Sequence, residues 1–259
     1  VSLVHAITGE HSQFRRWTLY LFARYVEIPL LYWGYHFLQG RYRHLGQNRL
    51  IRAAMRWLVA APFGYVGDTA YPLPTPEMLR LIDAMEGPIA VGPCRCRSAH
   101  NACAHPLDTD IVIRTGVEAW NRAFPSEYHL IDKEEARQIV SNCGQLGMWP
   151  MVFVHCPVNA HEGAPPHDNE YVICNCCTCG CVPYILNREL GQQVYPLMRG
   201  PYVAETDLNH CAGHGECVSA CPFGVRGVVE GLARLAAPCF GCGVCVAACP
   251  EGAIRMGAA

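Results

Sequence analysis

Apolar residues run almost unbroken from Trp17 to Leu38, dense in Leu, Tyr, Phe and Trp, and predict helix. The run approaches the ~20 residues of a bilayer span, but Arg24, Glu27, Pro29 and His36 interrupt it. Each charge at a bilayer centre costs ~2.5–3.5 kcal/mol, so a surface-lying or partner-docked helix pair is expected instead of a full span. The following segment has a helical period. Leu50, Ala54, Trp57, Leu58 and Ala61 share one face, and Arg49, Arg52 and Arg56 share the other. Three placements fit: the apolar face on the protein's own core with the arginines in water, docking on a partner subunit, or an anionic membrane surface. The first is the expectation.

Pro62 through Pro76 reads as a linker punctuated by proline and glycine. Pro76 is placed at N1 of a short helix capped by Thr75 and running to about Met85. Beyond Gly87, short apolar runs alternate with polar helical stretches. Ile89–Val91, Asp110–Arg114, Met151–His155 and Tyr171–Cys174 predict strands. Asp132-Lys133-Glu134-Glu135 gives a helix start, and Gly144 or Gly147 its end. From Leu208 onward, short strand and helix pieces repeat with a period near 28 residues: Cys211 to Cys239, Cys217 to Cys245, Cys221 to Cys249. The expected fold class is α+β. A helical, arginine-rich docking segment occupies 1–86, a small mixed α/β cysteine-rich domain 87–204, and a duplicated, pseudo-twofold unit 205–259.

Composition changes the picture through cysteine. The chain has 17 cysteines in 259 residues, an odd number, and its opening residues are not read as a secretory signal. Cys174-Asn175-Cys176-Cys177-Thr178-Cys179-Gly180-Cys181 is too crowded for independent disulfides, whose Cα atoms must sit ~4.4–6.8 Å apart. Soft-metal ligation in a reducing compartment is the better reading, which places the protein in the cytoplasm or at the cytoplasmic face of the membrane. Net charge is −2, but residues 1–60 hold eight arginines against Glu10 and Glu27, and the rest is net acidic. With a single lysine, Lys133, and basic residues concentrated in the apolar front, nucleic-acid binding is not expected.

The sharpest motif is Cys239-x2-Cys242-x2-Cys245-x3-Cys249-Pro250, with Cys211-x2-His214-x2-Cys217-x3-Cys221-Pro222 before it. Over residues 205–257 this pair resembles the two-cluster bacterial ferredoxins. In that pattern the last cysteine of each run serves the other cluster. The resemblance therefore implies one [4Fe–4S] cluster on Cys239, Cys242, Cys245 and Cys221, and a second on Cys211, Cys217 and Cys249. His214 stands at the missing position, so that cluster is either His-ligated or [3Fe–4S], unless a cysteine from the middle region reaches in. Gly213, Gly215, Gly241 and Gly243 are expected to bring backbone N–H groups up to sulfur, and Pro222 and Pro250 to end the turn after each fourth cysteine.

Eight further cysteines crowd the middle: Cys94, Cys96, Cys103, Cys174, Cys176, Cys177, Cys179 and Cys181. They suffice for two more clusters, or for one with spares. Residues 90–182 resemble polyferredoxin-like proteins of anaerobic microbes, which carry further cysteines where this chain has Asp110 and Gly180. Asp108 and Asp110 read as turn residues flanking a strand, with Asp110 as an oxygen ligand to iron the other reading. Arg95 and Arg97 offset cluster charge. His100, His105, His155, His161 and His167 read as solvated or hydrogen-bonded loop residues. Cys143 is read as an ordinary buried thiol, with Cys156 less defined.

These features point to a non-catalytic electron-transfer protein or subunit with two to four clusters in total, docked on a redox partner or a larger oxidoreductase complex, with peripheral membrane contact through its N-terminal segment. A redox enzyme using an open iron site is one alternative. A zinc or soft-metal module is the other. No nucleophile–base pair, dinucleotide loop or phosphate loop supports an enzyme.

Overall fold

The computed structural model describes residues 21, 23–57, 70–114, 117, 120, 121, 124–153 and 172–259. Six strands form one sheet: β1 (Ala70–Pro72), β2 (Ile89–Pro93), β3 (Asp108–Ile113), β4 (His129–Ile131), β5 (Trp149–Phe153) and β6 (Val172–Cys176). Their order is β1-β5-β6-β3-β2-β4, and every neighbouring pair is antiparallel. The architecture is α+β, with helices laid on a wholly antiparallel sheet.

Alternation along the strands sorts the two faces. Ile89, Val91, Ile111, Ile113, Val152 and Ile173 point one way, under α3 (Thr75–Ala84) and α5 (Lys133–Gln145). Those helices contribute Met78, Ile82, Ala136 and Val140 to the same core. Ala90, Val112, Met151, Val172 and Cys176 point the other way, towards α1 (Ile28–Leu38) and α6 (Val182–Leu190). Each fully buried Ile, Leu, Val or Met side chain contributes about 1.5–3 kcal/mol, so both layers matter to stability.

The ends of α5 follow from its sequence. The Asp132 carboxylate accepts from the Glu135 N–H at 2.8 Å, a cap that contributes about 1 kcal/mol. At the other end Gly147, not Gly144, stops the helix. Its φ is +75°, its N–H donates to the Gly144 carbonyl, and the Met148 N–H reaches back to Cys143.

Three expectations shift. The Pro62–Pro76 stretch is not all linker, because Ala70–Pro72 pairs with β5 as an edge strand, where a missing proline N–H is tolerated. The unit built on the sheet therefore begins well before residue 87. Pro74, rather than Thr75, takes the cap position of α3, its extended backbone (φ −60°, ψ 144°) turning the chain into the helix, and Pro76 follows in the first turn. Asp108 and Asp110 lie inside β3, not in flanking turns.

In the N-terminal part, Ala23–Glu27 forms a π-helical turn that runs directly into α1. Pro29 stands in the first turn of α1, where its absent N–H is an orphan anyway, so it starts the helix rather than interrupting it. Among the described residues no helix is long and apolar enough to cross a membrane. The start of the Trp17–Leu38 run lies outside the described residues.

Residues 49–57 are helical, but the expected orientation is reversed. Arg52 Nη2 donates to the Glu189 carbonyl, and Arg56 Nη2 to that of Leu190 at 3.1 Å. Leu50 and Trp57 are 81% and 73% exposed. The orphan carbonyls at the C-terminal end of α6 carry partial negative charge and attract Arg52 and Arg56, while Met55 of the same helix packs on the core. Leu50 and Trp57 are therefore left outward.

The C-terminal unit pairs β7 (Tyr202–Thr206) antiparallel with β10 (Ile254–Ala258), and β8 (Arg226–Val229) with β9 (Leu232–Leu235). Its short helices α7 (Glu216–Ser219) and α8 (Val244–Ala247) stand at corresponding places in the two sequence repeats. Each follows a left-handed glycine, Gly215 at φ +79° and Gly243 at φ +75°. The turns after the fourth cysteines also match. Gly224 N–H closes on the Cys221 carbonyl and Gly252 N–H on that of Cys249, with Pro222 and Pro250 inside these turns rather than at their ends.

Candidate metal centres

The described cysteines are all free thiols. The structure sorts those of the middle region into two groups by strand alternation. Cys174 and Cys176, two apart on β6, face the α1/α6 side together. Cys177 follows the strand end and packs instead with Cys143 and Met148, beside Cys103 and Cys179.

The inner group gathers Cys94, Cys96, Cys174, Cys176 and Cys181. Cys181 Sγ donates to Cys176 Sγ at 3.3 Å, and the Cys96 thiol interacts electrostatically with Cys94 and Cys181. Cys94 and Cys181 occupy the cap positions of α4 (Arg95–His100) and α6. The contact with Cys96 and burial push the Cys94 thiol well up, and the contact with Cys176 does the same for Cys181. Backbone N–H groups of the first helical turns oppose both shifts. The β3–β6 register sets Asp110 opposite Cys174, and the thiol donates to its Oδ1 at 3.2 Å. Tyr128 donates to Oδ2 at 2.7 Å. Burial raises the Asp110 carboxyl, and these two donors work against it. Glu27 reaches the same region: burial pushes its carboxyl up to about 7, Arg95 pulling it down and Asp110 adding to the rise.

The outer group is Cys103, His105, Cys177 and Cys179, whose ligand atoms all lie within 4.8 Å of one another and could hold a metal ion. Cys103 Sγ stands 3.7 Å from Cys177 Sγ and 2.9 Å from Cys179 Sγ. His105 Nδ1 lies 3.2 Å from Cys103 and from Cys179. Burial alone would raise the Cys103 thiol, but hydrogen bonds from Cys179 and His105 bring it down to about 7. His105 is thus a hydrogen-bonded loop residue, one of the two alternatives its sequence offered, with thiols as its partners. Its signal in the sequence was the Cys103-x-His105 spacing. His100 does play the structural part expected of it, stacked on Tyr35 with ring centroids 3.9 Å apart and Nε2 against the Gly180 carbonyl at 2.9 Å. His155, His161, His167 and Cys156 lie outside the described residues. Cys143 is buried in the wall of this site, and burial pushes its thiol up to about 11.

Gly180 explains why this chain has no cysteine there. A Cβ added to it would lie 2.9 Å from Cys103 Cβ and Sγ and 3.0 Å from Arg97 Cγ. Gly180→Ala is expected to destabilise the fold by about 1–3 kcal/mol through overpacking, read from anaerobic urea denaturation. An unchanged midpoint would show that Cys103 yields freely.

Arg97 separates the two groups. It is 1% exposed, its Nη1 donates to the Asn175 carbonyl at 3.0 Å and to Cys177 Sγ at 3.8 Å, and its Nη2 donates to Thr109 Oγ1. Burial disfavours its charge, but the neighbouring Cys94, Cys177 and Cys176 more than offset this, so its pKa is raised.

In the C-terminal unit Cys242 feels the charge of Cys245, Cys221 and Cys239, and Cys245 that of Cys239, Cys221 and Cys217, so cysteines of both repeats lie near one another. Burial pushes the Cys245 thiol up to about 11, with Arg226 opposing. Cys211, Cys217 and Cys249 join the small apolar core of this unit. Backbone N–H groups of Ala233 and Gly213 hold the Cys211 thiol below the usual range, and the Gly241 N–H meets Cys239 Sγ at 3.3 Å. The left-handed turns at Gly213 (φ +75°) and Gly241 (φ +82°) bring that backbone in, and a Cβ at either would strike a backbone carbonyl, of Gly231 or Tyr202. His214 is 46% exposed with Nδ1 3.9 Å from Glu251 Oε1, and no hydrogen bond among the described residues joins it to a thiol.

Arg226 mirrors Arg97 and was not legible in the sequence. It is 4% exposed, Nη1 donates to Cys245 Sγ at 3.8 Å, Nη2 donates to Thr206 Oγ1, and its charge also acts on Cys211. Nε of both arginines is buried without a hydrogen-bond partner. Orphaned donors beside crowded, buried thiols suit a bound metal whose thiolate ligands, kept ionised by the metal, carry net negative charge and accept the spare N–H groups. No family model, curated protein or solved structure matches the chain.

Proposed function

We propose that this chain is an iron–sulfur electron-transfer protein, docked on a redox partner in a reducing compartment. The observation that carries the reading is the matched repeat, in which backbone N–H groups meet the sulfurs of Cys211 and Cys239 at corresponding positions and cysteines of both runs gather in one small unit. Cys221, Cys239, Cys242 and Cys245 would hold one [4Fe–4S] cluster. Cys211, Cys217 and Cys249 would hold a three-thiolate [3Fe–4S] cluster, a choice supported by the turn of His214 towards Glu251. Four sulfurs of the inner group would hold a third cluster, with Asp110 beside it. Bound clusters of this kind supply one-electron chemistry over a wide range of potentials.

The spacing of the groups supports relay. Cys176, Cys181 and Cys242 share one apolar core, with Phe223 and Phe240 packed against it and stacked at 4.2 Å. Tyr184 lies between the inner group and the C-terminal unit. Its hydroxyl donates to the Pro222 carbonyl, and burial raises it, with charge from both Cys181 and Cys221 adding to the rise and Arg188 opposing. Exposed Leu50 and Trp57, with exposed Trp33 and Tyr25 elsewhere on the helices, supply apolar surface for a protein partner.

Anaerobic purification with iron and acid-labile sulfide analysis tests the reading. A brown protein with near-equal iron and sulfide, bleached by dithionite and giving an EPR signal in the oxidised state from the three-iron cluster, is expected. A colourless preparation without sulfide overturns it.

A further inference from the structure

The outer group differs from the inner one in its donor set, three thiols and a ring nitrogen, and it does not depend on the iron–sulfur reading. Here three sulfurs and one ring nitrogen enclose a single point, with sulfur–sulfur distances of 3.7, 3.6 and 2.9 Å and nitrogen–sulfur distances of 3.2 Å. A tetrahedral ion with bonds of ~2.3 Å to sulfur and ~2.0–2.1 Å to nitrogen sets sulfur–sulfur edges of about 3.8 Å. Two of the three edges already match, and the short one widens as an ion enters.

We infer that Cys103, His105 through Nδ1, Cys177 and Cys179 form a closed Cys3His site for one zinc ion. The donors are soft and borderline, four in number, and fill the coordination sphere, which suits a structural rather than a catalytic ion. Its place in the fold gives it a task. Cys103 and His105 sit on the loop between α4 and β3, and Cys177 and Cys179 on the turn between β6 and α6. The ion ties these two connections together, over the sheet end that carries Cys174 and Cys176. Three thiolates on a divalent ion leave one net negative charge, and buried Arg97, with Nη1 3.8 Å from Cys177 Sγ, lies beside it to offset it. Gly180 keeps the turn tight enough for the site to close.

The test measures zinc, iron and sulfide separately in the full chain, purified anaerobically from cells supplied with both metals. About one zinc per chain is expected. His105→Ala is expected to lower zinc occupancy at least about tenfold, more than loss of an outer-shell partner does, with iron and sulfide unchanged. His105→Cys should restore zinc. A parent protein without zinc overturns the proposal, as does a fall of iron and sulfide in step with zinc in His105→Ala. Should the variants fail to fold, cobalt(II) exchanged into the parent decides. Intense tetrahedral cobalt–thiolate bands support the site, and a weak octahedral spectrum or no uptake overturns it.

Discussion

Arg97→Leu is expected to destabilise the protein by about 3–5 kcal/mol, the range for removing one partner from a buried charged network. The substitution leaves the Asn175 carbonyl and the Thr109 hydroxyl without their donor, and removes the one buried positive charge between the inner and outer thiol groups. Every neighbouring sulfur that ionises then does so against the others. Arg97→Lys should recover only part of the loss, because an ammonium is a single point and not a fork that reaches Asn175, Thr109 and Cys177 together. Anaerobic urea denaturation of parent and variants measures the difference. A loss below about 1 kcal/mol, in the range of an exposed ion pair, would mean that this guanidinium is dispensable.

The parallel between Arg97 and Arg226 shows what the sequence could not convey. Both are buried between thiol groups, both donate to a threonine hydroxyl and a cysteine sulfur, and both carry an unpartnered Nε. Arg97 adjoins Cys96 in the sequence, which points to charge compensation but not to its hydrogen bonds with Asn175 and Thr109. Arg226 stands five residues after Cys221, and the packing of β8 brings it instead to Cys245, 19 residues on. Long-range placement of this kind leaves no local spacing to read.

Other features were legible. The 28-residue duplication carried the C-terminal unit, since matched glycines, helices and turns recur at each cysteine pair. The four predicted strands of the middle region exist within a few residues, while β1 and β4, three residues each at sheet margins, are too short for alternation to register. The division of the eight middle cysteines was legible in principle. A period of two puts Cys174 and Cys176 on one face and sends Cys177 elsewhere, as observed. The arginine helix misled for a physical reason. An amphipathic pattern says which residues segregate, not which face turns inward, and here the carbonyls ending α6 took the arginines.

Cys217→Ala and Cys221→Ala, though only four positions apart, are expected to remove different clusters. In the proposed crossing arrangement Cys221 serves the second run and Cys217 serves the first with Cys211 and Cys249, although Cys217 shares one small core with Cys239 and Cys245 as well. Cys221→Ala should therefore abolish the signal of the all-cysteine cluster, lowering iron and sulfide by one cubane, and leave the oxidised three-iron EPR signal intact. Cys217→Ala should do the reverse. Alanine is chosen over serine because an alkoxide could remain as a ligand. Loss of the same signal in both variants would mean that each repeat holds its own cluster, and the crossing arrangement would have to be abandoned. Loss of both signals in Cys221→Ala alone, with retained secondary structure, would instead make the all-cysteine cluster a requirement for assembling the second and so contradict their independence.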